Sequence, residues 1–258
     1  MQIQINGPRI YFEIPIGDQI SIPITDTVIS SFVVTVVLCI LCIVLGRNLT
    51  KRPGRRQVLV EKMVGMLYGM VEDTMGKHNL KFAPYIGALF ASSIFGTLIS
   101  TTGVFRSSTA DLSTTATWAI MTTVIVWASS IRENGFFGWL KGFTEPVAVM
   151  TPMNIISEIA NPVSMAFRHF GNVVGGSVLT TLIYFALAGV SSMVLGWIPN
   201  AFISSIPIFQ VGIPAVLSLY FDFFSGAIQA LVFCMLSMVY IGAANPPHEE
   251  KGEGEQVK

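Results

Sequence analysis

The sequence predicts an all-α integral membrane protein, in which residues 1–258 form a single membrane domain of about five membrane-embedded helices and one amphipathic surface helix. Two observations favour this class. Hydrophobic residues make up 52% of the chain and charged residues only 12%, whereas soluble domains carry roughly 25% charged residues. Several apolar stretches are also long enough to cross about 30 Å of hydrocarbon as helices. The formal net charge of zero gives no support for nucleic-acid binding.

The first membrane span is predicted at residues 28–46, VISSFVVTVVLCILCIVLG. The densest group of positive charges in the chain follows it, made of Arg47, Lys51, Arg52, Arg55, Arg56 and Lys62. Because short loops rich in Lys and Arg remain in the cytoplasm, we expect this loop inside the cell and the N-terminal segment 1–27 outside. Cys39 and Cys42 lie within the span without a further ligand nearby, which favours packing over metal or redox chemistry.

A surface helix and a pair of spans come next. Residues 57–77 carry apolar residues at helical spacing with charges on the other face, which predicts an amphipathic helix on the cytoplasmic surface. Within the span pair 82–131, residues 82–103 would cross outward and about 114–131 would return. Arg132 and Lys141 then fall on the cytoplasmic side, in agreement with the first span.

Two long apolar stretches end the chain. Residues 154–198 are too long for one simple span and contain Glu158, Pro162 and Arg168 near their start, which favours a tilted or in-plane beginning followed by a broken helix. A turn rich in Pro and Ser leads into the second stretch, residues 208–244. The short connection predicts a tilted, antiparallel helical hairpin. The polar tail 245–258 is expected to be disordered and cytoplasmic.

Each helix of this hairpin carries a polar stripe, because residues three or four apart share a helical face. The first stripe consists of Asn161, Ser164, Arg168, Asn172 and Gly175, and the second of Ser218, Asp222, Ser225 and Gln229. In an antiparallel pair, a step forward on one helix matches a step back on the other. We therefore expect Arg168 opposite Gln229, and Ser177 opposite Asp222.

Arg168 is the most informative residue, since it has no predicted counter-ion within the chain. A charged side chain in the bilayer centre costs about 2.5–3.5 kcal/mol on insertion scales. Arginine cannot lose its proton in a protein, and an unpaired buried charge is costly. Arg168 therefore either extends to an interface or meets a partner on another chain. Its separation from the nearest polar end of the helix favours the second alternative.

Three blocks of the sequence resemble subunit a of F-type ATP synthases. PMNIISEIANPVSMAFRHFGNVVGG is similar to that family's P-(L/I)-N-x-x-x-E-x-x-x-P-x-S-L-x-x-R-L-F-G-N-x-x-A-G block. AIQALVFCMLSMVYI is similar to its final-helix block, and STADLSTTATWA to its P-T-A-D-x-N-x-T segment. The blocks occur in the family's order, and the hydropathy profile matches over nearly the whole chain.

The resemblance implies a stator subunit of a rotary ATP synthase that translocates protons or sodium ions. The implied partners are a ring of c subunits, each with a membrane-embedded carboxylate, the peripheral-stalk b subunits, the remaining ATP synthase subunits and membrane lipid. Arg168 would keep the passing carboxylate ionised and separate two offset half-channels. The resemblance implies no cofactor, no metal and no enzymatic activity of the subunit alone. The expected topology fits a bacterial plasma membrane.

The resemblance also implies residues beside the arginine and in the outer half-channel. Asn172 and Gln229 would lie next to Arg168, with Gln229 orienting its guanidinium. Asp222 would relay ions in the outer half-channel, where relatives carry His or Glu, and Ser177 would lie nearby. A structural hydrogen-bonded acid is the alternative interpretation of Asp222.

For the other positions, simpler interpretations remain open. Glu158 and Asn154 fit the inner half-channel, although a Glu near a helix start is stabilised there in any case. Asp111 is a candidate for the outer entrance or a loop cap, and Glu145 for the inner mouth. His169 stands where the family usually has Leu, and a packed or hydrogen-bonded role is expected for it.

Two other classes of function fit the sequence less well. A secondary transporter could bind an anionic substrate through Arg168, but it would need internal repeats and broken helices in matching halves, which the sequence lacks. A membrane-embedded enzyme would need a carboxylate pair, a metal-ligand cluster or a nucleophile with its base. His78, His169 and His248 are scattered and provide none of these.

Overall fold

A computed structural model of the chain describes residues 9–15, 21–47, 49–102, 105–144, 147–195, 216 and 219–247. Helices dominate this part of the chain, which confirms the all-α class. The helices are α1 (Asp26–Gly46), α2 (Arg55–Met75), α3 (Ala83–Leu98), α4 (Leu112–Gly142), α5 (Thr151–Leu195), a π-helix (Leu219–Ser225) and α6 (Gly226–Ala244). Among the described residues, four helices are long and apolar enough to cross a membrane, namely α1, α4, α5 and Phe223–Ala244.

A short antiparallel hairpin precedes α1 and was not expected from the sequence. It pairs β1 (Ile10–Pro15) with β2 (Ser21–Thr25), so that Pro15 lies opposite Ser21. Branched and aromatic residues in these segments suit a strand. The backbone N–H of Asp26 donates to the carbonyl of Arg9, which attaches the hairpin to the start of α1.

The two ends of α1 differ in burial. Asp26, Thr27, Ser30 and Val34 are buried near its N-terminus, whereas residues 35–46 are largely exposed. With 21 residues, α1 is about 31 Å long at 1.5 Å per residue, which matches the hydrocarbon core. The helix begins two residues before the predicted span and ends at the same residue.

The core lies where the last turns of α2 meet α3, α4, α5 and α6. It consists of Val71, Met75, Ala83, Ile86, Leu89, Ala119, Met165, Ala166, Phe233, Cys234, Met238 and Ile241. Most of α2 is exposed, but its C-terminal turns pack into this core, and its position on the cytoplasmic surface stays a prediction. The amphipathic stripe of α2 therefore serves protein packing at one end.

A hydrogen-bonded turn fastens the end of α2 to the end of α6. Gly76 adopts φ 81° and ψ 161°, a conformation essentially restricted to glycine, and thereby reverses the chain. The carbonyl of Asn245 then accepts hydrogen bonds from Nε2 of His78 at 2.7 Å and from Nδ2 of Asn79 at 3.1 Å. These bonds satisfy a carbonyl just beyond the C-terminus of α6.

α4 bends near its end. Gly135 has φ 71° and ψ 164° inside the helix, which only glycine tolerates without strain. The seven residues beyond it turn toward α5 and carry Trp139 to within 6.1 Å of Trp127, measured between ring centroids. The predicted span ended at residue 131, four residues before this bend.

α5 is continuous, so the predicted break in this helix is wrong. Pro162 lies inside α5 and removes one backbone hydrogen bond. However, Met165 and Ala166 are buried just after the proline, and this packing holds both halves in one helix. With 45 residues, α5 is about 67 Å long, roughly twice the thickness of the hydrocarbon core, so the expected tilt fits its length.

The predicted antiparallel arrangement of α5 and α6 is confirmed. Asn172 in the middle of α5 bonds to Ser225 before the first turn of α6, whereas Asn161 near the start of α5 shares a cavity with Tyr240 near the end of α6. Residues 196–215 and 217–218, which lie between the two helices, are outside the described residues.

The close contact between α3 and the turn before α4 provides a test of this packing. A Cβ atom at Gly96 would lie 2.3 Å from Oγ of Ser108, which is itself 2% exposed. We expect Gly96→Ala to lower stability by about 1–3 kcal/mol through overpacking, measured as a lower thermal midpoint of the purified protein. Gly65→Ala is the matched control, because nothing lies within 4 Å of that position and alanine favours helix by about 1 kcal/mol. Equal midpoints for the two variants would contradict the prediction.

Candidate functional site

Arg168 lies on the outer surface of α5, away from the core. Its side chain is exposed, and among the described residues it makes no hydrogen bond and no ion pair. At 1.5 Å per residue, it stands about 25 Å from the start of α5 and about 40 Å from its end. The charge is therefore far from both ends of the helix.

The face of α5 that carries Arg168 is exposed and built largely from small residues. Ile156, Ala160, Ser164, Arg168 and Gly171 follow one another at helical spacing, and all are exposed. A Cβ atom at Gly171, or at Gly175 one turn later, would meet no atom within 4 Å. No described part of this chain therefore approaches these two glycines closely.

Asn172 joins α5 to the segment before α6. Its Nδ2 donates to Oγ of Ser225 at 2.9 Å and to the carbonyl of Ser225 at 3.3 Å. The hydroxyl of Ser225 lies 3.1 Å from Oδ1 of Asn172. Asn172 lies four residues after Arg168, and Ser225 lies four residues before Gln229. The contact therefore has the register predicted for Arg168 and Gln229. Ser225 belongs to the predicted stripe, but its role as the partner of Asn172 was missed.

Gln229 does not form a hydrogen bond with Arg168 in this structure. Its side chain is 7% exposed, and its buried Nε2 has no acceptor among the described residues. A buried amide donor without a partner is costly. The register thus brings Gln229 to the level of the arginine without the expected contact.

The other predicted pair can be followed only in part. Ser177 is exposed, and its hydroxyl donates to the carbonyl of Val174 in its own helix at 2.8 Å. Asp222 lies within the π-helix, but its side chain and the whole of Ser218 lie outside the described residues. Because a π-helix bonds i to i+5, the three-or-four spacing used to predict the second stripe does not hold before Ser225.

A polar cavity of about 480 Å³ lies between α4, α5 and α6. It is bounded by the start of α5, the end of α6 and the bent end of α4. Its lining includes Thr122, Thr123, Trp127, Ser130, Trp139, Phe143, Asn154, Ser157, Glu158, Asn161, Met165 and Tyr240. The structure thus brings Glu158 and Asn154 together. Glu145, the other residue proposed for this end, lies outside the described residues.

Hydrogen bonds hold both of these residues at the cavity. Nε1 of Trp127 donates to Oε1 of Glu158, a contact between helices that sequence reasoning missed. Nδ2 of Asn154 donates to the carbonyl of Phe143 at 2.9 Å, across the turn between α4 and α5. Met165, at the far end of the lining along α5, is three residues before Arg168. The cavity therefore extends to within one helical turn of the arginine.

Asp111 acts as the N-cap of α4. Its Oδ1 accepts from the backbone N–H of Ser113 at 2.9 Å and from the Ser113 hydroxyl at 2.7 Å, while Oδ2 accepts from Oγ1 of Thr27 at 2.7 Å. Burial raises the pKa of this carboxyl, but the hydrogen bonds from Ser113 and Thr27 outweigh burial and leave the pKa below its usual value. This geometry favours the cap over the outer entrance.

His169 is fully buried, although it follows Arg168 directly. Its Nε2 lies 3.2 Å from Oγ of Ser93, and its ring meets Trp118 and Phe233 edge-on at centroid distances of 6.0 and 5.4 Å. Nδ1 has no hydrogen-bond partner among the described residues. These contacts agree with the expected packed histidine. One residue therefore points into the bundle while its neighbour points out of it.

The chain is similar to a membrane subunit of ATP synthases. Residues 28–242 match the family model described as ATP synthase A chain. The chain is 34% identical to "ATP synthase subunit a, sodium ion specific" of Propionigenium modestum over 92% of its own length and 84% of the relative. It is 29% identical to ATP synthase subunit a of Legionella pneumophila subsp. pneumophila over 96% of each chain. It is 28% identical to that of Moorella thermoacetica over 85% of its own length and 90% of the relative.

Two substitutions of Asp111 separate the cap from a role in transport. Asp111→Ala should lose about 1 kcal/mol of stability with the cap, whereas Asp111→Asn keeps a cap acceptor and should remain close to the wild type at pH 7. Because the pKa of Asp111 is lowered in the folded protein, its contribution is present above about pH 4 and is lost as the pH falls further. Thermal midpoints between pH 3 and 7 would show this loss in the wild type and not in Asp111→Asn. Slowed ion transport in Asp111→Asn at an unchanged midpoint would instead support the outer entrance.

Proposed function

The chain belongs to the ATP synthase A chain family, and we propose that it translocates ions as the stator subunit of a rotary ATP synthase. Its family and the four long apolar helices among the described residues make it a membrane protein, and the three relatives named above are bacterial. We assign it to a bacterial plasma membrane, with its N-terminus outside and its C-terminus in the cytoplasm. Its partners in this proposal are the c-subunit ring and the peripheral-stalk b subunits.

The exposed and unpaired Arg168 carries this proposal. A cation in the middle of a membrane helix requires an anionic partner or water, and the described residues supply no anion. The small residues around it allow another helix to approach closely. A membrane-embedded carboxylate on a rotating c subunit has the charge and the mobility to meet Arg168. The arginine would then keep each passing carboxylate ionised, because a nearby cation favours the charged form.

The polar cavity supports an aqueous path from one side of the membrane. It begins at the ends of α4 and α6 and extends along α5 to Met165, within one turn of Arg168. Glu158 supplies a negative charge that attracts cations, and Asn154 and Asn161 supply amide oxygens for them. The positive loop after α1 suggests that this side is the cytoplasm. We assign the cavity to the inner half-channel.

The outer half-channel is proposed on the other side of Arg168 along the helix pair. Asp222 would relay the ion, and Ser177 and Asn172 would contribute polar contacts. The fixed charge of Arg168 lies between the two paths and opposes direct passage of cations. An ion would therefore cross only while bound to a rotor carboxylate. One charge gains about 2.3 kcal/mol per 100 mV, so several ions must be combined through rotation for each ATP.

Gln229 fits a role that the rotor completes. Its buried Nε2 lacks an acceptor among the described residues, and the register brings it to the level of Arg168. Because this chain's own atoms bury Nε2, the amide would have to turn toward the Arg168 face before an arriving carboxylate could accept from it in the assembled complex. Gln229 would then help to orient the carboxylate and the guanidinium toward each other.

Arg168→Ala tests the proposal directly. We expect the variant to assemble into the complex but to lose ATP-driven ion pumping, because no charge keeps the rotor carboxylate ionised. Pumping should be measured with sodium ions and with protons in liposomes that contain the purified complex. Arg56→Ala is a suitable control, since it removes an exposed arginine from the start of α2. Normal coupled pumping in Arg168→Ala would refute the assignment.

Asp222→Asn tests the outer half-channel. The amide is close in size to the carboxylate but does not exchange protons or carry charge, so we expect slower ion transport in an assembled complex. The thermal midpoint should change by less than the transport rate. A lower midpoint with unchanged transport would show that Asp222 is a structural acid instead.

A further inference from the structure

We propose that Trp127 is a positioning residue that holds the carboxylate of Glu158 toward the polar cavity and thereby sets the affinity for the ion that enters there. The inference rests on the proposed function, because it takes the cavity to be an ion path. It concerns one contact between α4 and α5, in which Nε1 of Trp127 donates to Oε1 of Glu158.

Glu158 lies between two spaces of different polarity. On one side is the polar cavity of about 480 Å³. On the other is an apolar groove of about 280 Å³ between α4 and α5. Both spaces are bounded by Thr123, Trp127, Glu158 and Pro162. A carboxylate that turned toward the groove would lose its hydration and would no longer attract ions in the cavity.

The indole is the described group that holds this carboxylate in the orientation seen in the structure. Among the described residues, the Glu158 carboxylate accepts its one hydrogen bond from Trp127. A neutral donor can hold a carboxylate in place without cancelling its charge, whereas a Lys or Arg would compete with the incoming cation. Among the described residues of the lining, Tyr240 is the other ionisable one and none is basic. The negative charge therefore remains available to a cation.

The backbone increases the negative character of the same point. In a regular helix, the carbonyl of Glu158 would accept from the N–H of residue 162, but that residue is proline and has none. The carbonyl oxygen is left without its regular helical donor, within the lining of the cavity. A carboxylate and a carbonyl oxygen that lacks its regular helical donor form the type of oxygen environment that hard cations and their water shells prefer.

Trp127 is itself held firmly. Its ring centroid lies 6.1 Å from that of Trp139, and Trp139 meets Phe143 edge-on at 5.1 Å. The bend at Gly135 brings these two rings back beside Trp127. A donor that is fixed in advance loses little freedom when it binds the carboxylate. The bend in α4 therefore serves the ion path through the orientation of one indole.

Removal of the indole N–H tests this role in the complete ATP synthase. The rate of ATP-driven transport would be measured in liposomes against the concentration of sodium ions or protons on the side that receives ATP. We expect Trp127→Phe to raise the half-saturating concentration about three- to tenfold, as for a lost hydrogen bond to a charged group. The maximal rate should change less than twofold. Benzothienylalanine at position 127 replaces the N–H by sulfur at nearly the same volume, and should have the same effect without disturbing packing.

Two further variants identify the cause. Glu158→Gln should raise the half-saturating concentration at least as much, and Trp127→Phe should add nothing in the Glu158→Gln background. Trp118→Phe is the matched control, since it removes an indole from the same helix next to His169. It should affect stability but not the half-saturating concentration.

The possible failures can be told apart. An unchanged half-saturating concentration in Trp127→Phe and in the benzothienylalanine protein would overturn the inference, as would full additivity with Glu158→Gln. An unchanged value in Glu158→Gln would also overturn it, because the carboxylate would then take no part in ion uptake. The proposed function is decided separately by Arg168→Ala. Loss of pumping in that variant, together with normal uptake in Trp127→Phe, would refute the role of Trp127 alone.

Discussion

The antiparallel pairing of α5 with α6 is the constraint on which the rest of the structure depends. The hydrogen bonds between Asn172 and Ser225 fix how far one helix is shifted along the other. The burial of His169 among Ser93, Trp118 and Phe233 fixes the rotation of α5 about its axis. Once both are set, Arg168 must point outward, because successive side chains on a helix are about 100° apart. The outward cation is thus a consequence of a polar contact and a buried ring.

Polar contacts also join the helices at both ends of the bundle. They are important because the hydrophobic effect does not drive helices together within lipid. At one end, Thr27 of α1 donates to Asp111 at the start of α4. At the other, His78 and Asn79 donate to Asn245 beyond α6. Small residues complete this arrangement, since Gly96 and Gly226 leave room for Ser108 and Thr97. The apolar interior supplies close packing, and the polar ends define which helices are neighbours.

The sequence predicted the features that depend on composition and regular spacing. The length of an apolar stretch identified α1. The matching steps along an antiparallel helix pair predicted the register of Arg168 and Gln229, and the lack of a counter-ion in the sequence drew attention to Arg168. Other features depend on contacts between distant residues or on one unusual backbone angle. The bend at Gly135 and the bond from Trp127 to Glu158 are of this kind, since nothing in the local pattern requires them. The continuity of α5 was missed because burial of Met165 and Ala166 compensates for Pro162. The second polar stripe was predicted with α-helical spacing, which does not apply in the π-helix before Ser225.

The length of α5 has a mechanical consequence. A continuous helix of 45 residues, about 67 Å long, can remain within a layer about 30 Å thick only if most of its length runs along the plane of the membrane. Points near its two ends then differ in lateral position by tens of ångströms. In the proposed function, an ion that is taken up near one end of α5 and released near the other would have to travel along the plane of the membrane. Such a lateral path, combined with a rotor that can only turn, would convert a voltage into torque.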